Sequence, residues 1–239
     1  MPLHQTYLSY NNETYPHYYL CHYLPRSAGR DTLSHSLLKF KRCRQPDLEG
    51  WIDCALEMLT AMPVPPGATL IRALHHNETT ISDTPGALDL LGRRLAARFY
   101  YQYHPRLLQK ARPHRPVKIF GKPRRKEELQ GLYSIDPVYT ATLPEGPPKH
   151  WLIIDDILTS GATIHAIIRT IHQSYPGTPL TVFTLTKAGT TIPPHTPSSI
   201  KGLHYQFEQG ADWVLAEPPQ PYYSLPQLKT MIQSDIFNF

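Results

Sequence analysis

Two continuous apolar runs separated by a helical pattern lie between Trp151 and Thr186, and this unit constrains the fold more than any other part of the chain. The first, W-L-I-I-D-D-I-L, is a greasy run broken by two adjacent acids. A short stretch of small and hydroxylated residues, T-S-G-A-T, follows it. Ile164, Ile167, Ile168 and Ile171 then recur at the spacing of one helix face, and Y-P-G-T-P stops that helix. The second run, Leu180 to Thr186, reads as another buried strand. Strand, helix and strand within about 35 residues predict a right-handed parallel crossover unit, and with it the α/β class.

The rest of the chain supplies further elements. Residues 33–40 turn helical, and Leu48, Trp51, Ile52, Ala55, Leu56 and Leu59 keep the i, i+3, i+4, i+7 spacing of a second helix that M-P-V-P-P-G ends. Ala68 to Leu74 predicts a short buried strand, and H-H-N-E-T-T-I-S-D-T-P-G a loop. Leu88, Leu91, Leu95 and Phe99 mark another helix. L-Q-G-L-Y-S-I predicts a returning strand. The first 30 residues are rich in Tyr and His without a clear period; Tyr18, Tyr19, Leu20 and Tyr23 suit an edge strand or a cover over the core. Residues 189–239, with many Pro, Tyr and Gln, predict an irregular addition ending in a short helix near Leu225 to Ile232.

Hydrophobic residues make up 41% of the 239, enough for a real core, and charged residues only 18%, which excludes a disordered charged tail. The net charge of +5 is local: Lys110 to Lys126 carries eight Lys or Arg and no acid, and the remainder sums to 16 − 19 = −3. Pro113, Pro116 and Pro123 make that segment a loop or ribbon. Cys21, Cys43 and Cys54 form no C-x-x-C pair, which fits a reduced setting better than a disulfide framework. No run approaches the roughly 20 apolar residues of a membrane helix, and the N-terminus lacks signal-peptide character. The expectation is a soluble cytoplasmic protein with no membrane partner.

In an open parallel sheet, ligands bind where strands end and helices begin. Asp155 and Asp156 stand at such a place, and successive strand residues point to opposite sides. A helix N-terminus offers unpaired N–H groups and about half a positive charge. Gly161 lets backbone approach an anion closely, and Thr159, Ser160 and Thr163 add hydroxyls. Acids beside such a cradle suit sugar hydroxyls or a hydrated Mg2+. A phosphate at one end and vicinal hydroxyls nearby describe a ribose 5-phosphate.

L-I-I-D-D-I-L-T-S-G-A-T resembles the phosphoribosyl-diphosphate (PRPP) binding motif of type I phosphoribosyltransferases: four apolar residues, two acids, two apolar residues, then T-x-G-x-T or a near variant. The resemblance implies that family's fold, a parallel sheet core flanked by helices, with a hood-like N-terminal helical extension over residues 1–66, a core over 67–188 and a C-terminal addition over 189–239. It implies that Asp155 and Asp156 contact the ribose 2- and 3-hydroxyls, directly or through Mg2+, and are both catalytic and metal-binding. It implies that Thr159, Ser160, Gly161, Ala162 and Thr163 hold the 5-phosphate. A pyrophosphate loop is expected straight after the first sheet strand, where Arg72, Ala73 and His75 stand. The basic segment, with Lys122, Arg124 and Arg125, falls in chain order where a mobile loop closes over the leaving pyrophosphate. Family members are often homodimers.

Within that family the run D-D-I-L-T-S-G-A-T is similar to ComF-like proteins linked to DNA uptake, as are S-H-S-L-L-K-F-K-R and the order of basic stretch, R-R-K-E-E-L-Q-G-L-Y and motif. Thr159 stands where hypoxanthine-guanine enzymes usually carry an acid, which the resemblance turns against a 6-oxopurine acceptor. The paired-cysteine zinc module of ComF-like proteins is absent, and H-H-N-E-T-T-I-S-D-T-P-G replaces their Arg-Gly-Phe stretch. Three functions follow as expectations: phosphoribosyl transfer to an acceptor, single-stranded nucleic-acid handling through the basic segment, and PRPP or nucleotide sensing without turnover.

Plainer readings stand beside these. Two acids ending a strand also occur in ATPases, but no G-x-x-x-x-G-K-[ST] precedes them, and no G-x-S-x-G elbow is present. Adjacent histidines such as His75 and His76 usually diverge, which disfavours a zinc site. A basic run is often just a solvated face; Phe120 inside it and Tyr100, Tyr101 and Tyr103 before it are the aromatic platforms that single-strand binding would use.

Overall fold

The computed structural model describes residues 3–24, 32–80, 83–113, 128–143, 146–188 and 230. Its centre is a six-stranded sheet in the order β1-β2-β8-β7-β3-β4. The strands are β1 (His4–Tyr10), β2 (Glu13–Tyr23), β3 (Thr69–Arg72), β4 (Gln102–Tyr103), β7 (Trp151–Leu158) and β8 (Leu180–Ala188). β1 pairs antiparallel with β2 and every other neighbouring pair is parallel. A separate ribbon joins β5 (Leu108–Lys110) antiparallel to β6 (Tyr133–Ile135). The fold is therefore mixed α/β with a mostly parallel sheet.

Helices cover both faces. α1 (Thr32–Lys41), α2 (Asp47–Met58) and α3 (Ala87–Phe99) bury Leu37, Phe40, Trp51, Ile52, Leu91 and Leu95 against Leu20, Leu70, Leu152, Ile154 and Phe183 of the sheet. α5 (Ala162–Ser174) and the β5–β6 ribbon bury Ile164, Ile167, Ile168, Leu108 and Tyr133 against Ile71, Ile153 and Val182 on the opposite side. The five-residue α4 (Pro137–Ala141) is capped by Asp136, whose side chain accepts from the backbone of Val138 and Tyr139. β7, α5 and β8 form the expected crossover, with β7 and β8 as parallel neighbours.

Three sequence expectations change. Tyr18, Tyr19, Leu20 and Tyr23 do not form an edge: β2 lies between β1 and β8, and β1 is the edge strand. β2 shows no period over Tyr15–Cys21 because it is buried on both faces apart from Pro16. Second, the first 66 residues, expected as a helical hood, supply two strands of the main sheet and two core helices. Third, β7 does not stop at the acids; the ladder continues through Asp155↔Thr184, Ile157↔Thr186 and Leu158↔Lys187. A carboxylate can leave the sheet while its backbone stays paired. The C-terminal addition and the helix expected near Leu225 to Ile232 lie outside the described residues, Thr230 excepted.

Candidate functional site

β3 and β7 are adjacent and parallel, with Arg72 beside Ile154, so the segments leaving both strands emerge side by side. Alternation along β7 divides the acid pair. Trp151 and Ile153 face α5, and Leu152 and Ile154 face the α1–α3 layer. The same period sends Asp155 toward the α5 side and Asp156 toward α1. Their electrostatic partners agree: Asp155 acts on Lys110 and Tyr133, whereas Asp156 forms an ion pair with Lys41 at 2.9 Å.

Burial, reinforced by the neighbouring Asp156 charge, raises the Asp155 carboxyl well above the usual carboxylate range. The backbone N–H of Asp156 donates to Asp155 Oδ1 at 2.8 Å, and Lys41 and Arg72 also oppose the shift without overcoming it. Burial works against the Lys41 ammonium, but the charge and hydrogen bond of Asp156 outweigh it and hold that ammonium above its ordinary value.

Beyond Leu158 the chain turns through exposed Thr159 and Ser160 to Gly161, at φ +73°. That left-handed conformation favours glycine. Gly161 is the N-cap of α5, no side chain caps the helix, and the N–H of His165 donates to the Gly161 carbonyl at 2.8 Å. The helix thus presents its first-turn N–H groups beside the acid pair without a side-chain acceptor of its own. Ala162 and Thr163 form the start of that turn and are half-buried.

The segment after β3 is braced from below. The N–H of Ala73 donates to the Ile154 carbonyl at 2.9 Å, which ties the segment to β7 one residue before the acids. Arg72 is buried: Nε donates to Asp89 at 2.7 Å, two nitrogens donate to Glu78 at 2.8 and 2.9 Å, and one also reaches the Ala73 carbonyl at 3.0 Å. Glu78 in turn accepts from the His75 backbone N–H at 2.6 Å. Ala73 is buried and His75 exposed. Partial desolvation of its ring by neighbouring groups, and the Lys41 charge, lower the His75 pKa.

Two groups from the ribbon complete the surroundings. Lys110 is buried, donates to the His75 carbonyl, and lies 5.6 Å from the centre of the Tyr133 ring. Burial pushes its ammonium down to about 8. Tyr133 is only 6% exposed, and its buried hydroxyl has no hydrogen-bond partner among the described residues. Burial, with Asp155 and Glu78 nearby, raises its pKa. A buried polar group left unsatisfied costs about 1–3 kcal/mol, and a ligand oxygen is one remedy.

Asp155, Asp156, Ala73 and His75 therefore converge with the 159–163 turn at one end of β3 and β7. Lys122, Arg124 and Arg125 lie outside the described residues. Of the basic segment's described cations, Lys110 is engaged under the 73–78 loop and Arg112 pairs with Glu128 at 2.8 Å. Glu78 and Lys110 lie within the expected pyrophosphate loop and basic segment, but no role was assigned to either, and Lys41 and Tyr133 were not singled out from sequence. Each comes from a different element, and only the fold brings them to the acids. For Lys41 the earlier signal was S-H-S-L-L-K-F-K-R, whose last-turn lysines gave no hint of a target.

The donor set suits Mg2+ in one form. Two carboxylates are hard oxygen donors, and Mg2+ commonly takes one or two of them with waters and ligand phosphates. Among the described residues no group of three or more His, Cys, Asp or Glu forms a dedicated metal cage. Among the same residues no helix is long and apolar enough to cross a membrane.

No protein-family model matches the chain, so neither the type I phosphoribosyltransferase resemblance nor the ComF-like one has a family model behind it. No curated protein matches it significantly. Among solved structures, the adenine phosphoribosyltransferase of Leishmania tarentolae is similar over 69% of this chain and 90% of its own, at 15% identity and a TM-score of 0.33. That of Leishmania donovani is similar over 70% and 76%, at 14% identity and a TM-score of 0.31. Likenesses at this level assign neither family nor function.

Proposed function

We propose that this chain binds PRPP, or a related ribose 5-phosphate ligand, and transfers its phosphoribosyl group to an acceptor. The observation that carries the reading is the acid pair of β7 set beside the uncapped N-terminus of α5, reached through a left-handed glycine. The first-turn N–H groups of α5 and the hydroxyls of Thr159, Ser160 and Thr163 hold the 5-phosphate. Asp155 and Asp156 accept hydrogen bonds from the ribose 2- and 3-hydroxyls, one from each side of the strand. The 73–78 loop, fixed by Arg72, Glu78 and Lys110, lines the place of the diphosphate. Tyr133 supplies a hydroxyl that lacks a hydrogen-bond partner among the described residues.

In the transfer, the bond from C1 to the diphosphate oxygen breaks and its electron pair leaves with the diphosphate. The acceptor's lone pair forms the new bond to C1. Positive charge develops on the sugar, and the two carboxylates stabilise it while fixing the ring for attack. Mg2+, held by Asp155 and Asp156 directly or through its waters when bound, would neutralise charge on the departing diphosphate.

Calorimetric titration with PRPP and Mg2+ tests this reading. Saturable binding by the parent and its loss in the Asp155→Asn, Asp156→Asn double variant are expected. Equal binding by both, or none by the parent, would refute it.

A further inference from the structure

The acid pair already has a cation. Lys41 stands in the last turn of α1, a helix fixed by the fully buried Leu37 and Phe40, and its Nζ lies 2.9 Å from Asp156 Oδ2. Its side chain is one-third exposed and that of Asp156 only 16%, so the contact is partly shielded from water. The charge of the ammonium also reaches Asp155 and the His75 ring. No other Lys or Arg among the described residues forms an ion pair with either acid.

We propose that Lys41 is a resident counter-ion that keeps free divalent cations off Asp156, so that the metal enters only together with an anionic ligand. This rests on the reading of Asp155 and Asp156 as the ligand site. The charge arithmetic makes the selection. With both acids ionised, the pair and Lys41 sum to −1, a weak attractor for a bare divalent cation that must also displace a hydrogen-bonded ammonium. A diphosphate carries several negative charges. It attracts the displaced ammonium, and it lends oxygens to the metal that two carboxylates alone do not supply. Lys41 thereby favours the metal–diphosphate complex over the free metal. Its position at a helix C-terminus supports a cation there whether or not Asp156 is engaged.

The test uses free Mn2+ as the probe, without any sugar phosphate, followed by the loss of its electron paramagnetic resonance signal on binding to the full chain. Lys41→Met should bind Mn2+ at least about tenfold more tightly than the parent, since a unit charge has left direct contact with the carboxylate. Lys41→Gln, a second charge-free variant, should show the same gain, and Lys41→Arg should behave like the parent. The gain should vanish in the Lys41→Met, Asp156→Asn double variant. Unchanged or weaker Mn2+ binding in both charge-free variants would overturn the proposal. So would a gain that survives Asp156→Asn. Parent binding of PRPP is measured separately, so failure of this inference is distinguishable from failure of the proposed function.

Discussion

Replacing Asp155 by Asn should stabilise the ligand-free protein, and by an amount that depends on pH. The Asp155 carboxyl is held well above its ordinary value by burial and by the neighbouring Asp156 charge. A raised folded-state value means that the folded protein binds more protons than the unfolded chain between the unfolded and folded values. Stability from this group is therefore fully present below about pH 4 and is lost as pH rises through the raised folded value. Ionising a carboxyl disfavoured in this way costs on the order of 2–4 kcal/mol at pH 8 once relaxation and water entry around it are allowed for. Asn cannot ionise, yet its side-chain oxygen keeps the acceptor for the Asp156 N–H. Urea denaturation of parent and variant should thus give a difference of about 2–4 kcal/mol in favour of Asn at pH 8 and almost none at pH 4. In thermal melts the pH 8 difference should appear as about 5–15 °C. A variant no more stable than the parent at pH 8, or a difference independent of pH, would refute the assignment of a half-buried, charge-strained Asp155.

Other perturbations probe the scaffold. Arg72→Met strands the buried Asp89 and the Glu78 carboxylate, and should cost about 3–5 kcal/mol in denaturant titrations. Gly92→Ala places a methyl 2.6 Å from the Tyr103 ring and should cost about 1–3 kcal/mol; Tyr103→Leu should recover part of that loss in a double-mutant cycle. Gly161→Ala forces a side chain into a left-handed turn and should cost about 1–2 kcal/mol in stability, with a tenfold or greater loss in PRPP affinity by calorimetry.

What the sequence made legible follows physical range. β7, α5 and β8 were readable because their signals are local: continuous apolar runs, one isoleucine face, and a Pro-Gly stop. The acid pair and the glycine turn belong to the same unit, so their adjacency was readable too. β2 was not, because a strand buried on both faces loses its period, and its parallel pairing with β8 spans most of the chain. Arg72 illustrates a different limit. Its position after the first core strand suited a ligand contact, but Asp89 and Glu78 claim its guanidinium, and neither partnership shows in composition or spacing. Lys41 is the converse: one of many surface-type lysines in sequence, it faces Asp156 only because α1 packs on the same side of the sheet.

The central claim is that the β7 acids read ribose hydroxyls while the α5 turn holds a phosphate. Calorimetric titration of the parent with ribose 5-phosphate and with 2-deoxyribose 5-phosphate separates the two parts. The account predicts that both bind, that ribose 5-phosphate binds at least about tenfold more tightly, as loss of a hydrogen bond to a charged acceptor implies, and that the preference collapses in the Asp155→Asn, Asp156→Asn variant. Equal affinity for the two sugars in the parent would contradict it.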